Sequence, residues 1–228
     1  MHKFSVSGRT VTVYPAGQGG APLVVLNTFG GEGGQVSAAL QQMGSLPCTL
    51  AAVSGLAWNR DMAPWDCPPL APGAEPCTGG ADEYLVQLLG TILPEVESRL
   101  AAPPAWRGIA GYSLGGLFAL YALYRTDVFA RAASISGSMW YPGLLEFVRQ
   151  HPLKRPPDRL YFSVGDRECR TRNPYLQRVQ ANTEQLAAWY RDLGIHCRFE
   201  LNPGGHGKHA ARRTAQGIAW ILGGTAQA

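Results

Sequence analysis

Little in this sequence marks out a specialised class of protein. Cysteine is scarce: Cys48, Cys67, Cys77, Cys169 and Cys197 are an odd count with no C-x-x-C spacing, so neither a zinc site nor a disulfide framework is indicated. Charge is also thin, at 16% of residues with a net +4, and no basic stripe with interleaved aromatics is present to bind nucleic acid. No run of about 18 apolar residues exists to cross a membrane, and Met1–Ser7 lacks the apolar stretch of a secretory signal. The chain therefore reads as soluble and cytoplasmic, with neither a nucleic-acid nor a membrane partner. Internal repeats and composition shifts are missing too, so residues 1–228 read as a single domain. Local basic excess is confined to Arg167, Arg170 and Arg172 and to Lys208, Arg212 and Arg213. Each group reads as solvated surface or as a funnel for an anionic small-molecule substrate.

What is present is an ordinary globular composition, 46% hydrophobic over 228 residues, enough for a core without staples. Phe4–Val6 and Arg9–Tyr14 alternate around Ser7-Gly8 and predict an opening hairpin. Short apolar runs follow at Leu23–Leu26, Thr49–Val53, Gly108–Ala110, Arg131–Ile135, Leu160–Val164 and Arg198–Leu201, as suits strands buried on both faces of a parallel sheet. Helical periodicity covers Asp82–Leu100, behind a candidate Asp82 cap and with a kink expected at Pro94, then Pro174–Leu193 and Ala210–Leu222. Strands alternating with helices predict an α/β fold, a mostly parallel central sheet with helices on both faces. On such sheets the chemistry sits just past the carboxyl ends of the strands.

One of those ends carries Gly111-Tyr112-Ser113-Leu114-Gly115, a G-x-S-x-G between an apolar strand and an apolar helix. In that context the glycines permit a sharp turn that exposes the serine hydroxyl, the nucleophile elbow of an α/β-hydrolase. A serine needs a base, and the order Ser, acid, His removes His2. His151 precedes any suitable acid and His196 enters the last strand. His206, in the flexible Asn202–Gly207 loop after that strand, is the preferred base, with His209 as its rival. The orienting acid belongs to Gly165-Asp166-Arg167-Glu168: Glu168 first, Asp166 second, with a Ser–His dyad as the third reading. The oxyanion hole requires two backbone donors, the Leu114 amide and that of Thr28 or Phe29 in the glycine-rich loop after Leu23–Leu26. Arg60 and Asp61 form an ion-paired loop, or Arg60 or Trp65 contacts substrate. Trp140 lines a pocket or joins the core. No metal or organic cofactor is called for.

These residues give the chain a resemblance to the esterase D-like family of α/β-hydrolases, and within it to the trilactone siderophore (enterobactin-type) esterases. Arg60–Pro64 is similar to that family's R-D-x-T-P loop, with Ala63 in place of threonine, and Gly80 to Glu97 to its long helix. Gly111–Gly116 is similar to its elbow, Ser134–Trp140 to its S-x-S-x-x-W segment, and Gly204-Gly205-His206 to its histidine loop. The stretch from Ser138 to Leu160 is short and leaves room only for a minimal lid. The resemblance implies a serine esterase that cleaves a carboxylic ester, a siderophore-like lactone or a smaller acyl ester, through an acyl-enzyme. An acyltransferase on the same machinery, or a catalytically silent binding protein on a hydrolase scaffold, are the alternatives.

Overall fold

The computed structural model describes residues 1–223. The chain opens with β1 (His2–Val6) and β2 (Arg9–Tyr14), then β3 (Leu23–Asn27), α1 (Gly33–Gln42), β4 (Thr49–Ser54) and the short α2 (Trp58–Asp61). A two-residue ribbon, β5 (Asp66–Cys67) and β6 (Cys77–Thr78), precedes α3 (Ala81–Gln87) and α4 (Leu93–Glu97). After these come β7 (Arg107–Tyr112), α5 (Leu114–Arg125), β8 (Arg131–Ile135), α6 (Leu144–Gln150), β9 (Arg159–Gly165), α7 (Val179–Asp192), β10 (Cys197–Asn202) and α8 (Ala210–Leu222).

Eight strands form one sheet in the order β1-β2-β4-β3-β7-β8-β9-β10. The pairs β1/β2 and β2/β4 are antiparallel, and every later pair in that order is parallel. The hairpin expected around Ser7-Gly8 is there. Both turn residues have positive φ, 50° and 73°, the backbone twist that a two-residue connection between twisted strands needs. All five residues of β3 are buried, which is why no polar alternation is visible in its sequence. Helices α1 and α8 cover one face over Val24, Leu26, Ala133, Ile135 and Tyr161. On the other face α5 and α7 pack over Val25, Ile109, Leu160 and Phe162. Every residue of α5 from Leu114 to Tyr124 is buried, and each large apolar side chain so placed contributes about 1.5–3 kcal/mol. The only helix between β8 and β9 is α6, so the lid is minimal.

Two local expectations change. The helix expected over Asp82–Leu100 runs from Ala81 to Glu97 and contains a π-helical turn at Leu88–Ile92, just before Pro94. Proline lacks the N–H for the carbonyl four residues back and its ring crowds that group, so a widened turn takes up the mismatch. Asp82 does not cap this helix. Its carboxylate instead receives both branches of the Arg125 guanidinium, at 2.9 and 2.8 Å, and the Tyr121 hydroxyl at 3.0 Å. Among the described residues no helix is long and apolar enough to cross a membrane.

Candidate active site

The β7–α5 turn is tight. Ser113 sits at φ 58°, ψ −124°, a backbone conformation that an L-residue holds only where its surroundings over-determine it. Here they do. Its amide donates to the Ile135 carbonyl at 3.1 Å, and its own carbonyl accepts from the amides of Gly116, Leu117 and Ser138 at 3.0–3.1 Å. The turn also requires Gly111, since a Cβ there would lie 2.2 Å from the Gly115 carbonyl. The serine hydroxyl is thereby aimed off the carboxyl edge of the sheet.

The loop after β10 brings His206 to meet it. Nε2 of His206 lies 3.1 Å from Ser113 Oγ, and Nδ1 lies 2.6 Å from Glu168 Oε2. The carboxylate beside Nδ1 fixes the proton on that nitrogen and leaves Nε2 free to accept one. His209 plays no part in this arrangement. It is exposed and opens α8 in the left-handed region, at φ 55°.

The glycine turn after β9 supplies two carboxylates and divides their work. Asp166 turns back, as its proximity to the glycine suggests, and accepts the Gly204 amide at 2.7 Å, tying down the histidine loop. Glu168 reaches His206 with Oε2. Its Oε1 accepts from Ser136 Oγ and the Gly165 amide, both at 2.6 Å, and from Arg213 Nη2 at 3.2 Å. Burial alone would raise this carboxyl. The hydrogen bonds from His206 and Ser136, the electrostatic attraction of the His206 ring and the Gly165 amide outweigh it and hold the group down at about 2, so it is ionised at neutral pH.

Of the two amides expected from the loop after β3, that of Thr28 is already engaged. It donates to the Val53 carbonyl at 2.9 Å, and the Thr28 hydroxyl donates to the same oxygen at 2.8 Å, closing the β3–β4 edge. Thr28 is therefore withdrawn as an oxyanion donor. The amides of Phe29 and Leu114 have no acceptor among the described residues. For Leu114 this follows from its place at the first position of α5, where a helix leaves its N–H groups unpaired and its dipole favours negative charge.

Ser113, His206 and Trp58 stand where two lobes of a cleft meet. One lobe, about 330 Å³, is walled by Leu26, Phe29, Val36 and Ala211. The other, about 420 Å³, is walled by Pro68, Leu70, Glu75, Trp140 and Leu176. Trp140 is thus both of the things expected of it, 8% exposed and in contact with the cleft. Arg60 lines neither lobe and takes the first of its two expected places, in the ion-paired loop with Asp61. Its side chain lies across Gly80, where an added Cβ would fall 2.6 Å from Arg60 Cγ, and its guanidinium donates to Asp61 at 3.1 Å. Trp65 is partly buried and packs against the core, donating from Nε1 to the Pro142 carbonyl at 2.8 Å. Cys67 and Cys77 face each other across the β5–β6 ribbon as free thiols.

Three contributors carried no readable signal. Trp58 follows Leu56 and Ala57 in an unremarkable loop, yet its ring meets Phe29 edge-on at 5.5 Å in the middle of the cleft. Tyr112 is the variable residue of the elbow motif, and its hydroxyl donates to the His206 carbonyl. Arg213 belongs to a basic group expected at the surface, but it is only 3% exposed.

A strained serine on a strand-to-helix turn, paired through histidine to a carboxylate on the next strand but one, is the constellation of a serine hydrolase on the α/β-hydrolase fold. Comparison with known proteins agrees. The family model described as "Putative esterase" matches residues 54–212, more than half of the chain. The uncharacterized protein YbbA of Bacillus subtilis is 25% identical over 171 residues, 72% of this chain and 68% of its own. A siderophore enterobactin esterase of Emericella nidulans is 30% identical over 153 residues, 57% of this chain, which spans only 48% of that relative. Among solved structures, the siderophore hydrolase EstA from Aspergillus nidulans superposes with a TM-score of 0.77 at 19% identity, covering 97% of this chain and 93% of its own. The chain belongs to this esterase family.

Proposed function

We propose that the chain hydrolyses carboxylic esters through an acyl-enzyme on Ser113, with a siderophore-type lactone as its substrate class. The observation that carries this is the unbroken relay from Ser113 Oγ through His206 to Glu168, at 3.1 and 2.6 Å. Ser113 attacks the ester carbonyl as His206 Nε2 takes its proton, and Glu168 stabilises the imidazolium that forms. The tetrahedral oxygen is received by the amides of Leu114 and Phe29, neither of which has an acceptor among the described residues. His206 then protonates the leaving alcohol, and deacylation repeats the sequence with water. The substrate class is supported by the siderophore esterases among the relatives. A cleft with a lobe on each side of the nucleophile supports it too, since it accommodates bulk on both the acyl and the alcohol side.

Two measurements test the proposal. Ser113→Ala should abolish both turnover of p-nitrophenyl acetate and labelling by a fluorophosphonate, and labelling that survives would move the nucleophile elsewhere. A panel of short acyl esters, thioesters and a catecholate trilactone then tests the substrate. A trilactone left intact while short esters turn over removes the siderophore reading and keeps the hydrolase.

A further inference from the structure

Arg213 is a charged side chain in a place that does not favour one. It projects from α8, seven residues beyond His206, and its side chain is 4% exposed. Its Nε has no hydrogen-bond partner among the described residues. A buried guanidinium stabilises a fold less than well-packed apolar groups of the same volume, so its contacts are the place to look for a purpose. There are three. Nη2 donates to Ser136 Oγ and, at 3.2 Å, to Glu168 Oε1, while Nη1 donates to the Tyr112 hydroxyl at 3.1 Å.

Those contacts converge on one histidine by two routes. Along the first, Arg213 and Ser136 hold Glu168 Oε1, which leaves Oε2 to face His206 Nδ1. Along the second, Arg213 orients the Tyr112 hydroxyl, which donates to the backbone carbonyl of His206. Ser136 is itself held in the left-handed region at φ 43°, with its amide donating to the Ser163 carbonyl at 2.8 Å. A non-glycine residue is strained there, and here that conformation accompanies a hydroxyl aimed at Glu168.

We propose that Arg213, bridged by Ser136, is a positioning residue that fixes both the imidazole and the backbone of His206. It touches neither the ester nor Ser113. A planar guanidinium serves where a point charge would not, because two nitrogens must reach a hydroxyl–carboxylate pair and a phenol at once. The inference rests on the acyl-enzyme reading above.

The test uses the full chain carrying Arg213→Ala, with active sites counted by fluorophosphonate labelling run to completion. The kcat per labelled site should fall about 10- to 100-fold, the loss seen when a metal-ligating side chain loses the partner that orients it, with KM close to wild type. The downfield proton resonance of the His206–Glu168 hydrogen bond should disappear, and added methylguanidinium should restore part of the rate. Arg213→Lys should recover less than methylguanidinium does. Ser136→Ala keeps the buried charges paired; it should show a smaller loss in the same direction, and it stands in if Arg213→Ala does not fold. Wild-type kcat per labelled site with an unchanged resonance, however low the melting temperature, would overturn the proposal and leave Arg213 a structural counter-ion. Ser113→Ala separates the two failures. If that variant still labels, the acyl-enzyme reading falls; if it is silent while Arg213→Ala runs at full rate, only the positioning role falls.

Discussion

Asp61 and Glu168 are two buried carboxylates at the same edge of the sheet, each facing an arginine, and they do different things. Asp61 is fully buried, and both its oxygens are taken by the scaffold: Oδ2 by Arg9 at 2.5 Å and the Ala57 amide at 2.9 Å, Oδ1 by Arg60 at 3.1 Å. Glu168 gives only Oε1 to the scaffold and turns Oε2 towards an imidazole that is 51% exposed and in contact with the cleft. Burial and ion pairing are shared. The difference is whether one oxygen faces a group that can move a proton, and that is what separates a staple from a member of a relay.

The comparison breaks most sharply at Glu168. Glu168→Gln keeps the shape and removes the charge, and kcat per labelled site should fall by about 10³- to 10⁴-fold, as when a triad histidine loses its acid. Asp61→Asn should do the reverse. It strands the Arg9 charge and should cost about 3–5 kcal/mol in urea unfolding, with kcat per folded molecule unchanged. A large kcat loss in Asp61→Asn with normal stability would erase the distinction. A pH series sharpens it further. The Glu168 carboxyl is lowered from 4.5 to about 2, so its contribution to stability is complete above about pH 4.5 and disappears as pH falls through about 2. The stability gap between wild type and Glu168→Gln should narrow across that window; a gap that widened on acidification would show the sign to be wrong. Asp166→Asn weakens one charge-assisted bond to the Gly204 amide and should cost about 1–2 kcal/mol, with a few-fold slower turnover from a looser histidine loop. Arg60→Ala is the smallest change. Its side chain is half exposed, so it should shift stability by less than about 1 kcal/mol and leave kcat/KM untouched; a raised KM would return Arg60 to the cleft.

Much of the frame was legible in the sequence because each strand had to be buried on two faces. Continuous apolar runs such as Leu23–Leu26 and Leu160–Val164 announce that condition directly. Ser113 was legible for a related reason. A turn tight enough to strain a serine needs Gly111, and the motif records that need in the chain itself. At Pro94 the local rule foretold a disturbance but not its form, since a π turn and a kink both accommodate a missing donor. Glu168 and Asp166 could be narrowed only to a pair, because two positions in one turn differ in direction and direction has no sequence signature. The same limit held for Thr28 and Phe29. Which amide stays free depends on Val53, a residue of another strand.

Arg60 and Arg213 show where reading along the chain stops. Both are cations in polar surroundings, and one lies on the surface while the other is buried behind the acid. Periodicity, turn chemistry and helix caps act between neighbours in sequence, so composition and order alone determined the α/β layering, the serine elbow and the short list of its partners. The fate of a charge depends on groups 32 to 101 residues away that meet it only after the sheet has closed. Which carboxylate joins the histidine, which amide is left open and which arginine stands behind the acid were therefore decided by tertiary packing.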